Sequence, residues 1–188
     1  MKIMKTLKSM ASKRSMKTIA PGIEEFEEYF PGCNEVIDQA EKSPHWAKGT
    51  VGKDTDPDIR ITDVHYLDQS SKLHGDLVKN LMSATKIYRD KYRGCQVKEV
   101  EPFRIARYEV GGHYAVHSDA VRGERVLSSV LYLNDGYEGG ELYFPQFEIT
   151  YKPKAGSLLL FPSNYPYEHG SLRVSQGKKY CVLGWCRA

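Results

Sequence analysis

Leu73, Leu77, Leu81, Ala84, Tyr88 and Tyr92 recur at spacings of three and four, with Ser70-Ser71 ahead of them and Gly94 behind. That stripe predicts one long amphipathic helix, capped by serine and stopped by glycine, packed across a sheet. Pro31-Gly32 breaks the chain before a shorter helix over residues 33–41 that carries Val36, Ile37 and Ala40. Residues 23–30 read equally well as strand or helix. Pro44, Gly49, Gly52, Pro57 and several Asp make residues 44–69 a loop, with one short strand near 59–64. From Gln96 onward no helical period is visible. Runs rich in Val, Leu and Tyr at 103–108, 113–117, 126–133, 141–144, 157–161 and 179–185 alternate with turn clusters such as Gly111-Gly112 and Asn134-Asp135-Gly136. About eight strands at this spacing predict an α+β chain, a sandwich or jelly roll with the preceding helices buttressing one sheet.

With 188 residues, 40% hydrophobic and 27% charged, the chain fits a single domain, taken as residues 21–188. Residues 1–20 form a basic tail or first strand, since the first 19 hold six Lys or Arg and no acid. Subtracting them from a net charge of +3 leaves the rest slightly acidic, so no nucleic-acid partner is expected. Nothing approaches the roughly 18 to 20 consecutive apolar residues of a membrane helix, and no secretory signal is read, so no membrane association and a cytoplasmic location are expected. Cys33, Cys95, Cys181 and Cys186 form no C-x-x-C pair, which fits a reducing compartment. Five residues apart in a strand, Cys181 and Cys186 project to opposite faces.

His117 and Asp119 flank a single residue, so in an extended segment both side chains leave the same face and can grip one ion. His169 follows the apolar run 157–161 and a Pro/Tyr loop, where a rolled sheet returns beside His117. Two imidazoles and one carboxylate on one side of an ion make the facial triad that suits non-haem Fe(II) and leaves positions open for oxygen chemistry. A zinc hydrolase on these ligands lacks the general base it would need. Strand parity puts Lys179, Cys181, Leu183 and Trp185 on one face, with Lys178 and Tyr180 on the other. A lysine inside a sheet core needs an anionic partner, which a dicarboxylate co-substrate provides.

Tyr108, Tyr114, His117 and Asp119, the Arg125 to Asn134 strand, the Glu138-Gly139-Gly140-Glu141 turn with Phe144-Pro145, and His169-Gly170-Ser171-Leu172 with Gly177, Lys179 and Trp185 together resemble the prolyl 4-hydroxylase family of Fe(II)- and 2-oxoglutarate-dependent dioxygenases. The resemblance is close over residues 100–188 and holds in outline over 22–98. It implies a double-stranded β-helix with N-terminal supporting helices. It also implies Fe(II), 2-oxoglutarate and O2 as reactants with ascorbate alongside, and hydroxylation of prolyl residues in a peptide or protein substrate with release of succinate and CO2. By position, His117, Asp119 and His169 would hold the metal, and Lys179 and Tyr108 the distal carboxylate of 2-oxoglutarate. Tyr114, Arg125 and Trp185 would contact substrate. Free amino acids, small molecules or non-proline side chains remain alternative substrates, and a non-catalytic jelly-roll binding module remains a further reading.

Two departures from the family stand out: Leu142 replaces the usual Thr after the Gly-Gly-Glu turn, and Arg173 replaces the usual Pro. Arg173 is either a second anion contact or exposed. For Tyr114 and His117, three apart, to face the same pocket, the strand between them must carry a bulge or a bend.

Overall fold

Residues 158–161 are Leu, Leu, Leu and Phe, a run without polar alternation, and such a run forms a strand only where both sheet faces are covered. Both are. Leu158 and Leu160 join one apolar cluster with the helices, while Leu159 and Phe161 join a second cluster between two sheets. The coordinates are a computed structural model and describe residues 16–120 and 124–188.

In chain order the elements are β1 Met16–Ala20, β2 Ile23–Phe26, α1 Cys33–Glu41, β3 Ala47–Lys48, β4 Arg60–Ile61, β5 Asp63–Tyr66, α2 Lys72–Lys91, β6 Glu99–Val100, β7 Arg104–Tyr108 and β8 His113–His117. They continue with β9 Arg125–Tyr132, β10 Glu138–Gly139, β11 Leu142–Phe144, β12 Ile149–Tyr151, β13 Leu158–Pro162, β14 His169–Ser171, β15 Val174–Gln176 and β16 Lys179–Arg187. The larger sheet runs β1-β2-β13-β9-β16-β7-β5-β3, with β6 on the end of β16. The smaller runs β12-β11-β14-β8-β4, and β10 pairs β15 apart from both. Leu142 and Phe144 of the smaller sheet pack against Ala106, Val130, Leu159 and Cys181 of the larger, which closes the jelly roll.

The two helices lie where the apolar stripes predict. Ser71 caps α2 by accepting the backbone N–H of His74 at 3.1 Å, and Leu77, Leu81, Ala84 and Tyr88 are buried. Each fully buried leucine of this kind contributes roughly 1.5–3 kcal/mol. Residues 23–30 resolve as strand β2 followed by turn, and all four β2 residues are buried. Its two acids have partners on opposite sides: Glu24 binds Lys91 at 2.7 Å and Tyr92 at 2.6 Å, while Glu25 accepts from the Tyr151 hydroxyl at 2.6 Å.

Two expectations are corrected. Residues 44–69 hold three short strands rather than one, because β4 and β5, separated only by Thr62, pair with different sheets. After Gln96 there are eleven strands rather than about eight, since β6, β10, β14 and β15 are two or three residues long and carry no readable period. Of the basic N-terminal segment, Met16–Ala20 is the first strand, and residues 1–15 lie outside the described residues. Among the described residues, no helix is long and apolar enough to cross a membrane.

Candidate metal and co-substrate site

The smaller sheet brings the distant histidine home. His169 on β14 is directly opposite His117 on β8, while Ser171 is opposite Tyr114. Two steps along β14 therefore match three along β8, so a bulge rather than a bend brings the two side chains to one face. The extra residue turns the Tyr114 ring onto the His117 imidazole, with centroids 3.7 Å apart and planes within 16°.

Asp119, just past β8, completes the group. Its Oδ1 lies 3.6 Å from His117 Nε2 and its Oδ2 lies 3.5 Å from His169 Nε2. All three ligand atoms fall within 4.8 Å of one another. On each imidazole Nδ1 sits against a backbone carbonyl, Ala115 at 2.9 Å for His117 and Tyr167 at 3.1 Å for His169. An Nδ1–H donated to those carbonyls leaves both Nε2 lone pairs turned toward Asp119, the arrangement a metal ligand needs. Burial lowers the His169 pKa to about 4, so its ring is neutral. Burial pushes the Asp119 carboxyl up, yet the side chains of His117, His169 and Trp185 outweigh it and hold the group well below the usual carboxylate range. The Ser128 hydroxyl donates to Asp119 Oδ2 at 2.7 Å and sits 2.8 Å from Ser163 Oγ, so the carboxylate is fixed from behind.

A cavity of about 520 Å³ opens from this group, and all eight sequence-predicted site residues line it. Lys179, Cys181, Leu183 and Trp185 face it from β16, as parity predicts, whereas Lys178 points out to Glu109 at 2.9 Å. Lys179 is 2% exposed. Its ammonium donates to the Gly140 carbonyl at 2.7 Å and the Ser171 hydroxyl at 2.8 Å, and lies 4.9 Å from the Tyr108 ring centroid, on the strand paired with it. Burial lowers its pKa to about 8. Among the described residues it has no carboxylate partner. The buried Tyr132 hydroxyl in the same wall also lacks a partner there.

These observations fit the two groups that the sequence implies. Two imidazoles and one carboxylate form a donor set for Fe(II) with open positions. A buried ammonium held by neutral acceptors, next to an unpaired tyrosine hydroxyl, fits a carboxylate.

Arg125 and Trp185 line the same cavity. Arg125 makes a two-pronged pair with Glu101 at 2.8 and 2.6 Å, touches the Asp119 carbonyl at 3.4 Å and lies 4.0 Å from the Trp185 ring centroid. Arg173 is exposed and donates to the Gly111 carbonyl at 2.9 Å, outside this cavity, so the exposed reading of the two is the one realised. Sequence reasoning gave no role in the site to Ser128, Ser171, Tyr132, Arg60 or Arg104. Ser171 was within reach of parity, being two residues after His169 on the same strand.

Fold and donor set together define a class: a jelly roll with a two-histidine, one-carboxylate centre and a buried cation lining the same cavity. Residues 103–187 match the 2OG-Fe(II) oxygenase superfamily. The chain is 28% identical to a probable prolyl 4-hydroxylase 10 of Arabidopsis thaliana over 82% of its own length and 64% of that protein's. A prolyl-4-hydroxylase crystal structure from Pseudomonas putida superposes with a TM-score of 0.74 at 20% identity, covering 89% of this chain and 93% of that one. A Trichoplax adhaerens prolyl hydroxylase, in complex with a hypoxia inducible factor oxygen degradation domain peptide fragment, superposes with a TM-score of 0.73 at 19% identity over 88% and 83%. Three of the curated relatives are spanned to 64%, 41% and 60% of their length. Over residues 103–187 the chain thus matches that superfamily, and it is similar to prolyl 4-hydroxylases in sequence and in fold.

Proposed function

We propose that residues 21–188 act as one Fe(II)- and 2-oxoglutarate-dependent dioxygenase domain that hydroxylates prolyl residues in peptides or proteins. The observation that carries this reading is the placement of His117, Asp119 and His169 around one point, with the buried Lys179 ammonium, which has no carboxylate partner among the described residues, in the same cavity. Relatives named as prolyl 4-hydroxylases and a structural neighbour holding a peptide support the substrate class.

In this reading His117, Asp119 and His169 hold the iron through Nε2, a carboxylate oxygen and Nε2. When bound, iron and the keto acid supply the oxidising power, consuming O2 and releasing succinate and CO2 as one oxygen atom enters a C–H bond. The remaining tasks belong to the chain. Ser128 fixes the orientation of Asp119. Lys179 holds the distal carboxylate of 2-oxoglutarate, with Tyr108 and Tyr132 beside it, and Leu142 closes that wall without a hydrogen bond of its own. Tyr114, Arg125 and Trp185 line the part of the wall offered to substrate, where a proline held in an extended or polyproline II segment would be received. No side chain is needed as a general base, and among the described residues the wall offers no carboxylate besides Asp119. Ascorbate serves to keep the metal reduced between turnovers. The free thiols, Cys33, Cys181 and Cys186 among them buried, fit a reducing cytoplasmic setting.

The test is anaerobically loaded protein exposed to oxygen with ascorbate and a panel of proline-containing peptides beside free proline. Peptide mass increased by one oxygen atom, with matching succinate, is expected. Oxygen entering free proline or a non-proline side chain instead would overturn the prolyl-peptide assignment, and absence of succinate with every probe would overturn the oxygenase itself.

A further inference from the structure

The charges lining the cavity do not cancel. Arg60, Arg104, Arg125 and Lys179 line it, and Asp119 is the sole acid among the lining residues. Lys179 and Asp119 are assigned above to the keto acid and the metal, and Arg125 is neutralised by Glu101. Arg60 directs its donors to the Thr62 hydroxyl at 2.8 Å and the Thr50 carbonyl at 3.1 Å.

Arg104 differs from all of these. Its Nε is buried without a hydrogen-bond partner, and among the described residues its guanidinium meets neither carboxylate nor carbonyl. Neighbouring arginines on the fold are paired: Arg107 with Glu41 and Asp63, and Arg187 with Glu101 and Glu124. What holds Arg104 is aromatic. It lies 5.1 Å from the Tyr66 ring centroid and 4.9 Å from that of Trp185, the indole that Arg125 also flanks. Tyr66 and Leu183 are its cross-strand partners on β5 and β16, so two flanking strands fix its position. A guanidinium held over two rings, with its terminal nitrogens free of hydrogen bonds among the described residues, is arranged to take a planar anion in two-pronged fashion. Arg104 and Trp185 line the same cavity as His117, Asp119 and His169, so that anion would share the cavity with the metal ligands.

We propose that Arg104 is a specificity-determining residue that pairs with a carboxylate carried by the substrate close to the carbon that is hydroxylated. This rests on the hydroxylase reading of the cavity. The carboxylate is either an acidic side chain beside the target residue or the terminal carboxylate of a peptide or free amino acid.

The test reads binding without turnover. The full chain, loaded anaerobically with Mn(II) and 2-oxoglutarate, is titrated by fluorescence anisotropy with end-blocked proline peptides bearing Glu or Gln beside the proline, and with the Gln peptide ending in a free carboxylate. Free proline and prolinamide serve as competitors. At least one carboxylate probe is expected to bind about tenfold or more tightly than its amide match, from the loss of a charge-assisted hydrogen bond. The preference should shrink in Arg104→Lys and vanish in Arg104→Gln, with the fold of each variant checked by circular dichroism. Which probe shows it identifies the source of the carboxylate. Equal binding of acid and amide, a preference surviving in Arg104→Gln, or no binding of any carboxylate probe would overturn the inference. Mass spectrometry after admitting oxygen reports separately on the hydroxylase reading, so selective binding without oxygen incorporation would sink that reading alone.

Discussion

Asp119 is fastened as firmly by a serine as by its histidine neighbours, and this makes Ser128 a positioning residue. Ser128→Ala removes the hydrogen bond behind the carboxylate while leaving the metal-facing atoms in place. We expect Mn(II) affinity, read by calorimetry, to fall by about 10- to 100-fold, the usual cost of losing a partner behind a ligand, with little change in 2-oxoglutarate affinity once metal is saturating. Lys179→Ala should do the reverse. It removes a charged contact of about 1.5–3 kcal/mol, so the 2-oxoglutarate dissociation constant should rise by one to two orders of magnitude at unchanged metal affinity. An unchanged constant would move the anchor elsewhere. The grouping of His117, Asp119, His169 and Lys179 around one cavity was legible in the sequence because their residue types are rare inside strands and their spacings respect strand parity. Ser128, Ser163 and Tyr132 were not, since serine and tyrosine in a β-run announce no partner until the strands are paired. Arg104 was hidden for a related reason: its distinguishing property is the partner it lacks.

At the scale of elements, the paired histidines depend on how closely β8 and β14 approach. Gly170 sits where a Cβ would lie 2.9 Å from the Tyr114 carbonyl oxygen and 3.2 Å from the Val116 nitrogen, both backbone atoms of the bulged strand. Neither can yield without moving His117. Gly170→Ala is therefore expected to cost about 1–3 kcal/mol in thermal or denaturant unfolding, as overpacking usually does, and to weaken metal binding at the same time. Loss of stability with intact metal affinity would show that the strands part without separating the ligands. A bulge or bend there was predictable, because Tyr114 and His117 are three apart and had to share a face. The two- and three-residue strands were not, since two or three positions cannot display a period and their pairing is set by remote segments.

Over the whole molecule, the larger sheet is tied to α1 by a chain of charges. Glu41 on α1 meets Arg107 on β7 at 2.9 Å, Arg107 meets Asp63 on β5 at 3.0 Å, and Asp63 meets Lys48 on β3 at 2.7 Å. Burial raises the Asp63 pKa, but hydrogen bonds from Lys48 and Arg107 outweigh it and the net shift is downward. A depressed folded pKa stabilises the fold above the unfolded value of about 3.9 and gives that stability up as pH falls toward the folded one. The melting temperature should therefore drop below roughly pH 4, and Asp63→Asn should be less stable at neutral pH with a shallower acid slope. Parallel curves for both proteins would exclude Asp63 as a contributor. The helices and the rolled architecture were readable from periodicity and strand spacing, whereas the strand order, with β13, β9 and β16 side by side, was not, because each of those pairings spans dozens of residues.

The strand β16 carries a burden that shows in its tolerance to change. Lys179, Cys181, Leu183 and Trp185 face the cavity, Tyr180, Val182 and Cys186 fill the helix-side core, and a Cβ on Gly184 would strike Phe103 at 2.5 Å. Eight consecutive positions thus have no idle side, while Lys178 immediately before them is half in solvent. A saturation library across this stretch should leave almost no neutral alleles from 179 to 186 and a nearly full alphabet at 178, so drift in this lineage must run around the strand rather than through it.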